Sequence, residues 1–263
     1  MAVPAEPQRF RKTGAVEQAP MFAAEVDGLA ALRAVQVMRV PEVLGHGIAG
    51  REAWLELEYF ELAPLERVSG ARLGEQLAEM HHHTGSEETA TYGWPRDNFI
   101  GSTPQSNQSH RTWAGFYAEE RLRPQLQLAS SNGMVRELRD RGEKLAERVA
   151  AFFVDYRPAP SLLHGDLWSG NAAQLADGTP VIFDPAVYRG DRETDIAMAE
   201  LFGGFPESFY AAYRAAWPLD AGYETRKTLY NLYHILNHFN LFGSAYLGQA
   251  RRMIEKLLVE LRA

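Results

Sequence analysis

The stretch LLHGDLWSGN, Leu162–Asn171, followed by VIFDPAVYRGDRETD, Val181–Asp195, decides how the chain is read. Two short apolar runs, Ser161–Leu163 and Pro180–Phe183, each lead straight into an aspartate-containing turn. Phosphoryl transfer needs a carboxylate to take the acceptor hydroxyl's proton, and oxygen ligands for the Mg²⁺ that neutralises the phosphates. Asp166 and Asn171, five residues apart on one loop, supply the base and an amide ligand. Asp184, thirteen residues after Asn171, stands at the end of an apolar strand, where its carboxylate can project into a cleft as the main metal ligand. Asp and Asn are also common in turns for local hydrogen-bonding reasons. It is therefore the order and spacing of all three, with His164 ahead of the base, that point to kinase chemistry.

Outward from this pair of motifs the chain reads as two unequal parts. Arg9–Thr13 reads as a strand, and Met21–Val35 as a helix with Phe22, Val26 and Leu29 at helical spacing. In Ala53–Phe60, Ala53, Leu55, Leu57 and Tyr59 alternate with Trp54, Glu56, Glu58 and Phe60, the pattern of a half-buried strand. A boundary near Glu61–Pro64 divides a small first part, residues 1–61, from residues 62–263, where helical patterns dominate. Helices are expected over Gly70–His83, Trp113–Ala129, Arg136–Tyr156, Asp195–Leu201, Glu224–Phe242 and Gly248–Leu261. The stretch Thr91–Arg111, rich in Gly, Pro, Asn and Ser, is long enough for a functional loop. His81, His82 and His83 are consecutive and point in different directions on a helix, so they suit a helix C-terminus near the negative end of its dipole, not a shared metal.

Composition excludes several functional classes. Hydrophobic residues make up 46% of the 263 and charged ones 23%, an ordinary balance for a globular protein. The net charge is −7 and the basic residues are scattered, which argues against nucleic acid or an anionic membrane surface as partner. No apolar run approaches the roughly 20 residues that span a bilayer, and the opening MAVPAEPQRFRKTG does not resemble a signal peptide, so a cytoplasmic location is expected. Without any cysteine the chain has no disulfide, thiolate nucleophile or cysteine-bound metal.

HGDLWSGN, DPAVYRGDRETDIAMAELFGGF, GWPRDNFIGSTPQSN and LYNLYHILNHFNLFGSAYLGQ closely resemble the fructosamine kinase (ketosamine 3-kinase) family, a branch of the aminoglycoside phosphotransferase-like kinases. The resemblance runs from about Lys12 to Leu257. It implies an α+β, bilobal protein-kinase-like fold, with ATP and Mg²⁺ as cofactors. The implied activity is phosphorylation of the 3-hydroxyl of a free or lysine-linked ketosamine, and hence a role in deglycation. It also implies that Lys12 contacts the α- and β-phosphates and pairs with Glu25, that backbone of Glu58, Tyr59 and Phe60 meets the adenine edge, and that Asp195 braces the catalytic loop as His164 supports it. An N-cap role would explain Asp195 equally well. Trp168 offers an aromatic face to a sugar or to lobe packing. His238 lies on a helix expected to border the acceptor pocket, though a histidine there can equally be structural.

The N-terminus departs from the family pattern. Kinases of this type cover the phosphates with a glycine-rich hairpin ahead of the lysine strand. Only eleven residues precede Lys12, among them Pro4 and Pro7, and no glycine comes before Gly14. A truncated small lobe without that hairpin is therefore expected, with weak ATP binding and an exposed sheet edge open to dimerisation; the chain is a monomer or a homodimer. The same departure keeps two alternatives open: a kinase-like binding protein with little turnover, or a kinase for another small hydroxylated acceptor.

Overall fold

The structure, a computed structural model, describes residues 8–86 and 91–262. Its first sheet forms around β3, Glu52–Glu58, where the two-residue period buries Ala53, Leu55 and Leu57 and leaves Trp54, Glu56 and Glu58 half-exposed. β3 pairs antiparallel with β1, Arg9–Ala15, on one side and β2, Val43–Ala49, on the other. The sequence marked two of these three strands, β3 by its alternation and β1 as the short segment Arg9–Thr13. β2 carries little apolar signal because VLGHGIA contains Gly45 and Gly47, and both glycines lie under the Trp54 indole. A Cβ on Gly45 would stand 3.2 Å from the ring and one on Gly47 3.3 Å from it. The indole thus covers a strand that has no side chains of its own there.

Helix α1, Ala19–Ala34, starts with Pro20 in its first turn, where a missing N–H costs nothing, and buries Leu29 and Leu32. No strand precedes β1 among the described residues. Residues 1–7, with Pro4 and Pro7, lie outside them, so the expected absence of a hairpin falls there. A backbone link ties the small part to the larger one, where Ile182 N–H donates to Arg39 O at 3.2 Å, and just past the boundary Ala63 exchanges bonds with Gln174 at 2.9 and 2.8 Å.

The larger part is mostly helical. Helix α2, Arg67–Gly85, buries Leu73, Leu77 and His81 at a spacing of four. The 91–110 stretch is not structureless, since it holds a hairpin of β4, Asn98–Ile100, and β5, Thr103–Gln105. The helix expected from Trp113 is continuous but changes pitch, from α3, Trp113–Phe116, through a π-helical turn, Tyr117–Leu122, to α4, Arg123–Ser131. Pro124, which has no N–H to donate, opens α4. Helix α5, Arg136–Ala146, stops ten residues short of the expected end, and a 3₁₀ turn at Val149–Phe153 comes next.

Two pairs of three-residue strands frame the motif loops. β6, Ser161–Leu163, pairs with β9, Tyr188–Gly190, and β7, Ala172–Gln174, with β8, Pro180–Ile182. Then come α6, Glu193–Leu201, and α7, Glu207–Ala216, which periodicity had not marked. The chain closes with α8, Tyr223–Phe242, buried on most sides, and α9, Leu247–Glu260.

α7 lies against α2 because two glycines four residues apart let the backbones approach. A Cβ on Gly70 would come within 2.3 Å of Pro206 Cγ, and one on Gly74 within 2.3 Å of the Phe209 carbonyl oxygen. Gly74→Ala should therefore lower the urea midpoint by the equivalent of about 1–3 kcal/mol, the range for overpacking. Gly248→Ala, where the nearest group is the flexible end of Arg252 at 3.5 Å, should be neutral or raise stability by up to about 1 kcal/mol through helix propensity. Equal midpoints for the two variants would contradict this account of the α2–α7 contact.

Candidate active site

The catalytic loop leaves β6, whose three residues are all buried, and must turn sharply at Gly165. That glycine has φ +81°, and a Cβ there would stand 2.0 Å from the Ala186 carbonyl oxygen, so no other residue fits. The turn is held from beneath by Asp195. Its Oδ2 accepts the His164 N–H at 2.8 Å and its Oδ1 the Gly165 N–H at 2.9 Å. Asp195 lies inside the first turn of α6 with its carboxylate on the loop, so it is not that helix's N-cap. His164 fixes Asp166, two residues on: its Nε2–H donates to Phe183 O at 3.0 Å, and its Nδ1 accepts the Asp166 N–H at 3.3 Å. Burial pushes the His164 pKa down, which keeps the ring in this neutral form.

The same carboxylate reaches a residue that sequence reasoning had assigned elsewhere. His82 and His83 occupy the last turn of α2 as expected, but His81 is fully buried. Its Nε2 lies 3.2 Å from Asp195 Oδ2 and its Nδ1 2.9 Å from Tyr213 Oη. Because a carboxylate only accepts, Nε2 carries the proton and Nδ1 accepts from Tyr213. Tyr213 in turn accepts from Arg192 Nη1 at 3.1 Å. Burial alone would raise the Asp195 pKa, but the bonds from His81 and the loop amides bring it below the usual carboxylate range. The Leu73, Leu77, His81 stripe was the available signal for His81, since it puts the histidine on the buried face of α2.

Asp166 is half-buried at the head of this loop. Burial pushes its carboxyl up to about 7, helped by repulsion from Asp184 and Asp195 and opposed by the Asn171 hydrogen bond. Asn171 Nδ2 donates to Asp166 O at 2.9 Å and to Asp166 Oδ2 at 3.3 Å, which leaves its Oδ1 as the end able to bind a cation. Asp184 has φ +56° and stands half-exposed at the end of β8. Lys12 Nζ lies 2.6 Å from Asp184 Oδ1 and 2.7 Å from Glu25 Oε1. Burial would lower the Lys12 pKa, but the two carboxylates outweigh it and hold it above the ordinary value. Burial raises that of Glu25, with Lys12 pulling the other way.

These residues share one cavity of about 440 Å³, lined by Lys12, Glu25, Asp166, Asn171 and Asp184 on its polar side and by Phe22, Phe99 and Trp168 on its apolar side. Asn98 also lines it, a residue to which the sequence motifs had assigned no role. A second cavity of about 240 Å³ lies between Phe10, Leu57, Leu62 and Phe183, with Glu58, Tyr59 and Phe60 along one edge. The Glu58 N–H is already taken by Glu42 O at 2.8 Å, and its side chain pairs with Arg39, so the open backbone groups of that edge begin at the Glu58 carbonyl. His238 lines neither cavity. Its Nδ1–H donates to His234 O at 2.7 Å, and its ring packs among Phe202, Phe242 and Tyr246.

The fructosamine kinase sequence profile matches residues 3–260. The chain belongs to the fructosamine kinase family. A probable ketoamine kinase of Synechocystis is 46% identical over 262 residues, covering 97% of this chain and 85% of that protein. The chloroplastic protein-ribulosamine 3-kinase of Arabidopsis thaliana is 40% identical over 97% of this chain and 77% of its own length. Among solved structures, the candidate fructosamine-3-kinase of Haemophilus somnus superposes with a TM-score of 0.86 at 32% identity, covering 95% of this chain and 83% of that one. The choline kinase LicA of Streptococcus pneumoniae, at 14% identity and a TM-score of 0.61 over 97% of this chain and 87% of its own, shares the bilobal kinase-like architecture.

Asp195→Asn replaces an accepting oxygen with a donor facing donors. It should cost about 3 kcal/mol, the scale of two hydrogen bonds to a charged group, whereas Tyr213→Phe, which removes the bonds to His81 and from Arg192 but none to the carboxylate itself, should cost less, about 1–2 kcal/mol. Chemical denaturation of the two variants checks the order; a Tyr213→Phe loss equal to that of Asp195→Asn would reverse it.

Proposed function

We propose that this chain is an ATP-dependent kinase that phosphorylates the 3-hydroxyl of a ketosamine, free or lysine-linked, and so acts in deglycation. The observation that carries the reading is the convergence of Asp166, Asn171, Asp184 and the Lys12–Glu25 pair on one cavity, in a member of this family. Residues 1–61 then serve as the nucleotide lobe and hinge, and residues 62–263 as the catalytic and acceptor lobe. The apolar cavity between Phe10, Leu57, Leu62 and Phe183 suits a purine, with the backbone from the Glu58 carbonyl through Phe60 along its edge. Lys12 is in reach of the α- and β-phosphates, and Glu25 keeps its charged end from collapsing onto Asp184 alone.

The donor set fits magnesium. Asn171 Oδ1 and the Asp184 carboxylate are hard oxygen ligands, and no group of three or more His, Cys, Asp or Glu side chains able to hold a metal occurs among the described residues. A site with few protein ligands, completed by phosphates and water, is what Mg²⁺ prefers. When bound, the ion neutralises phosphate charge. Asp166 takes the proton from the sugar hydroxyl as its oxygen bonds to the γ-phosphorus and the bond to the ADP oxygen breaks. A base whose pKa lies near neutrality is matched to that task. Trp168 and Phe99 supply the apolar walls against which the sugar ring rests. A cytoplasmic site of action, where ATP is supplied, belongs to this reading. A non-catalytic binding protein is the less favoured alternative, because Asp166, Asn171, Asp184 and the Lys12–Glu25 pair line one cavity in a member of this family.

Asp166→Asn should lower turnover of a fructosamine or ribulosamine by at least about 10²-fold with ATP binding retained, measured as ADP release. Near-normal turnover would remove Asp166 from the mechanism. Asp184→Ala should weaken nucleotide binding in magnesium far more than in its absence, as titration calorimetry would report. Equal losses in both conditions would instead indicate a folding defect, and phosphorylation of an aminoglycoside in preference to a ketosamine would overturn the acceptor assignment.

A further inference from the structure

The 91–110 segment supplies neither the base nor a phosphate or metal ligand, yet it touches the elements whose mutual placement phosphoryl transfer requires. Trp94 Nε1–H donates to Asp27 Oδ2 at 2.7 Å. Asp27 is on α1, two residues beyond Glu25. The bond ties α1 to the chain beyond residue 61.

The other end of the segment is fastened to the strand that comes after Asp184. Asn98 Nδ2 donates to Val187 O at 2.7 Å, and Asn98 Oδ1 accepts from Gln105 Nε2 at 2.7 Å and Asn107 Nδ2 at 2.9 Å. Gly93 and Arg189 exchange backbone bonds at 3.0 and 2.8 Å. From behind, Tyr233 donates to Gln105 Oε1 at 2.5 Å, and the buried Arg121 donates to Asn107 Oδ1 at 2.7 Å. Asn98, Gln105, Asn107 and Arg121 are all buried, so these bonds face no competition from water and the base of the segment is stiff. α1 rests on the segment just ahead of that strand: a Cβ on Gly28 would stand 3.1 Å from Pro185 Cγ and 3.4 Å from Val187.

We propose that Trp94 and Asp27 are a positioning pair for phosphoryl transfer, whose hydrogen bond fixes α1 against the Asp184–Val187 segment so that Glu25 holds Lys12 at the phosphate site. Neither residue lines the cavity, so neither touches substrate. Their action is geometric: the Glu25–Lys12 contact is 2.7 Å, and a displacement of α1 by about 1 Å would carry it beyond hydrogen-bond length. The pair's effect on turnover rests on the kinase reading of the site; its effect on α1 does not.

Four variants test it: Trp94→Phe, which removes the donor and keeps an aromatic ring; Asp27→Ala; the double variant; and Asp27→Asn, which keeps an accepting oxygen. Amide hydrogen exchange across residues 19–34 should accelerate about tenfold in Trp94→Phe and Asp27→Ala, the scale of one hydrogen bond to a charged group, and stay at the wild-type rate in Asp27→Asn, with α8 unchanged throughout. Turnover of a ketosamine should fall about tenfold in the same two variants at constant KM for the acceptor, with the double variant no worse than either single one. Wild-type exchange in α1 of Trp94→Phe, equal acceleration across α1 and α8, or additive losses in the double variant would each overturn the pairing. Exchange needs no substrate, so a wild-type protein that phosphorylates no ketosamine would defeat the kinase reading alone and leave this test standing.

Discussion

The loop that carries Asp166 depends on a carboxylate with no access to water. Asp195 is 1% exposed, and an ionised group at such a site survives only if its hydrogen bonds replace solvent. It receives two backbone N–H groups from the loop and the imidazole N–H of His81. The loop amides are thereby satisfied without secondary structure of their own, and α2, α6 and the catalytic loop meet on one charge. Tyr213 and Arg192 extend the chain of bonds outward to α7, and the close approach of α7 that Gly74 permits is what lets Tyr213 reach His81. Packing between two helices thus reaches the loop that carries Asp166 through His81 and Asp195.

A second constraint couples the two parts of the molecule. Lys12 from β1, Glu25 from α1 and Asp184 from the end of β8 meet within 2.7 Å of one ammonium group. Asp184 adopts a left-handed backbone conformation that costs a non-glycine residue about 1–2 kcal/mol, and such outliers persist where the surroundings over-determine them. Here the surroundings are specific. Asn171 Nδ2 stands 3.5 Å from the Asp184 carbonyl, and the following residues are held by His164, Asn98 and Gln105 through their carbonyls and amides. The Asp184 carboxylate is therefore set by the loop that carries Asp166 on one side and by the 91–110 segment on the other.

The motifs were legible because phosphoryl transfer constrains residues that are near one another in the chain. Asp166 and Asn171 share a loop, and Asp184 comes one strand pair later, so order and spacing pointed to the family and the family to the fold. Periodicity likewise located β3 and most helices within a few residues, since a half-buried strand or helix writes its period into its own sequence. It missed β2, because Gly45 and Gly47 are explained by the Trp54 ring on a neighbouring strand, and it missed α7, whose place is defined by glycines on α2. His81 was grouped with its two neighbours as a helix end, although its position on the Leu73–Leu77 face separates it from them. The order and spacing of Asp166, Asn171 and Asp184 and the family to which they point were thus determined by the sequence. The partners that aim those residues, His81 for Asp195, Trp94 for Asp27 and Asn98 for Val187, lie 67 to 114 positions apart, and contacts over such distances leave no local period because only packing of the finished fold brings them together.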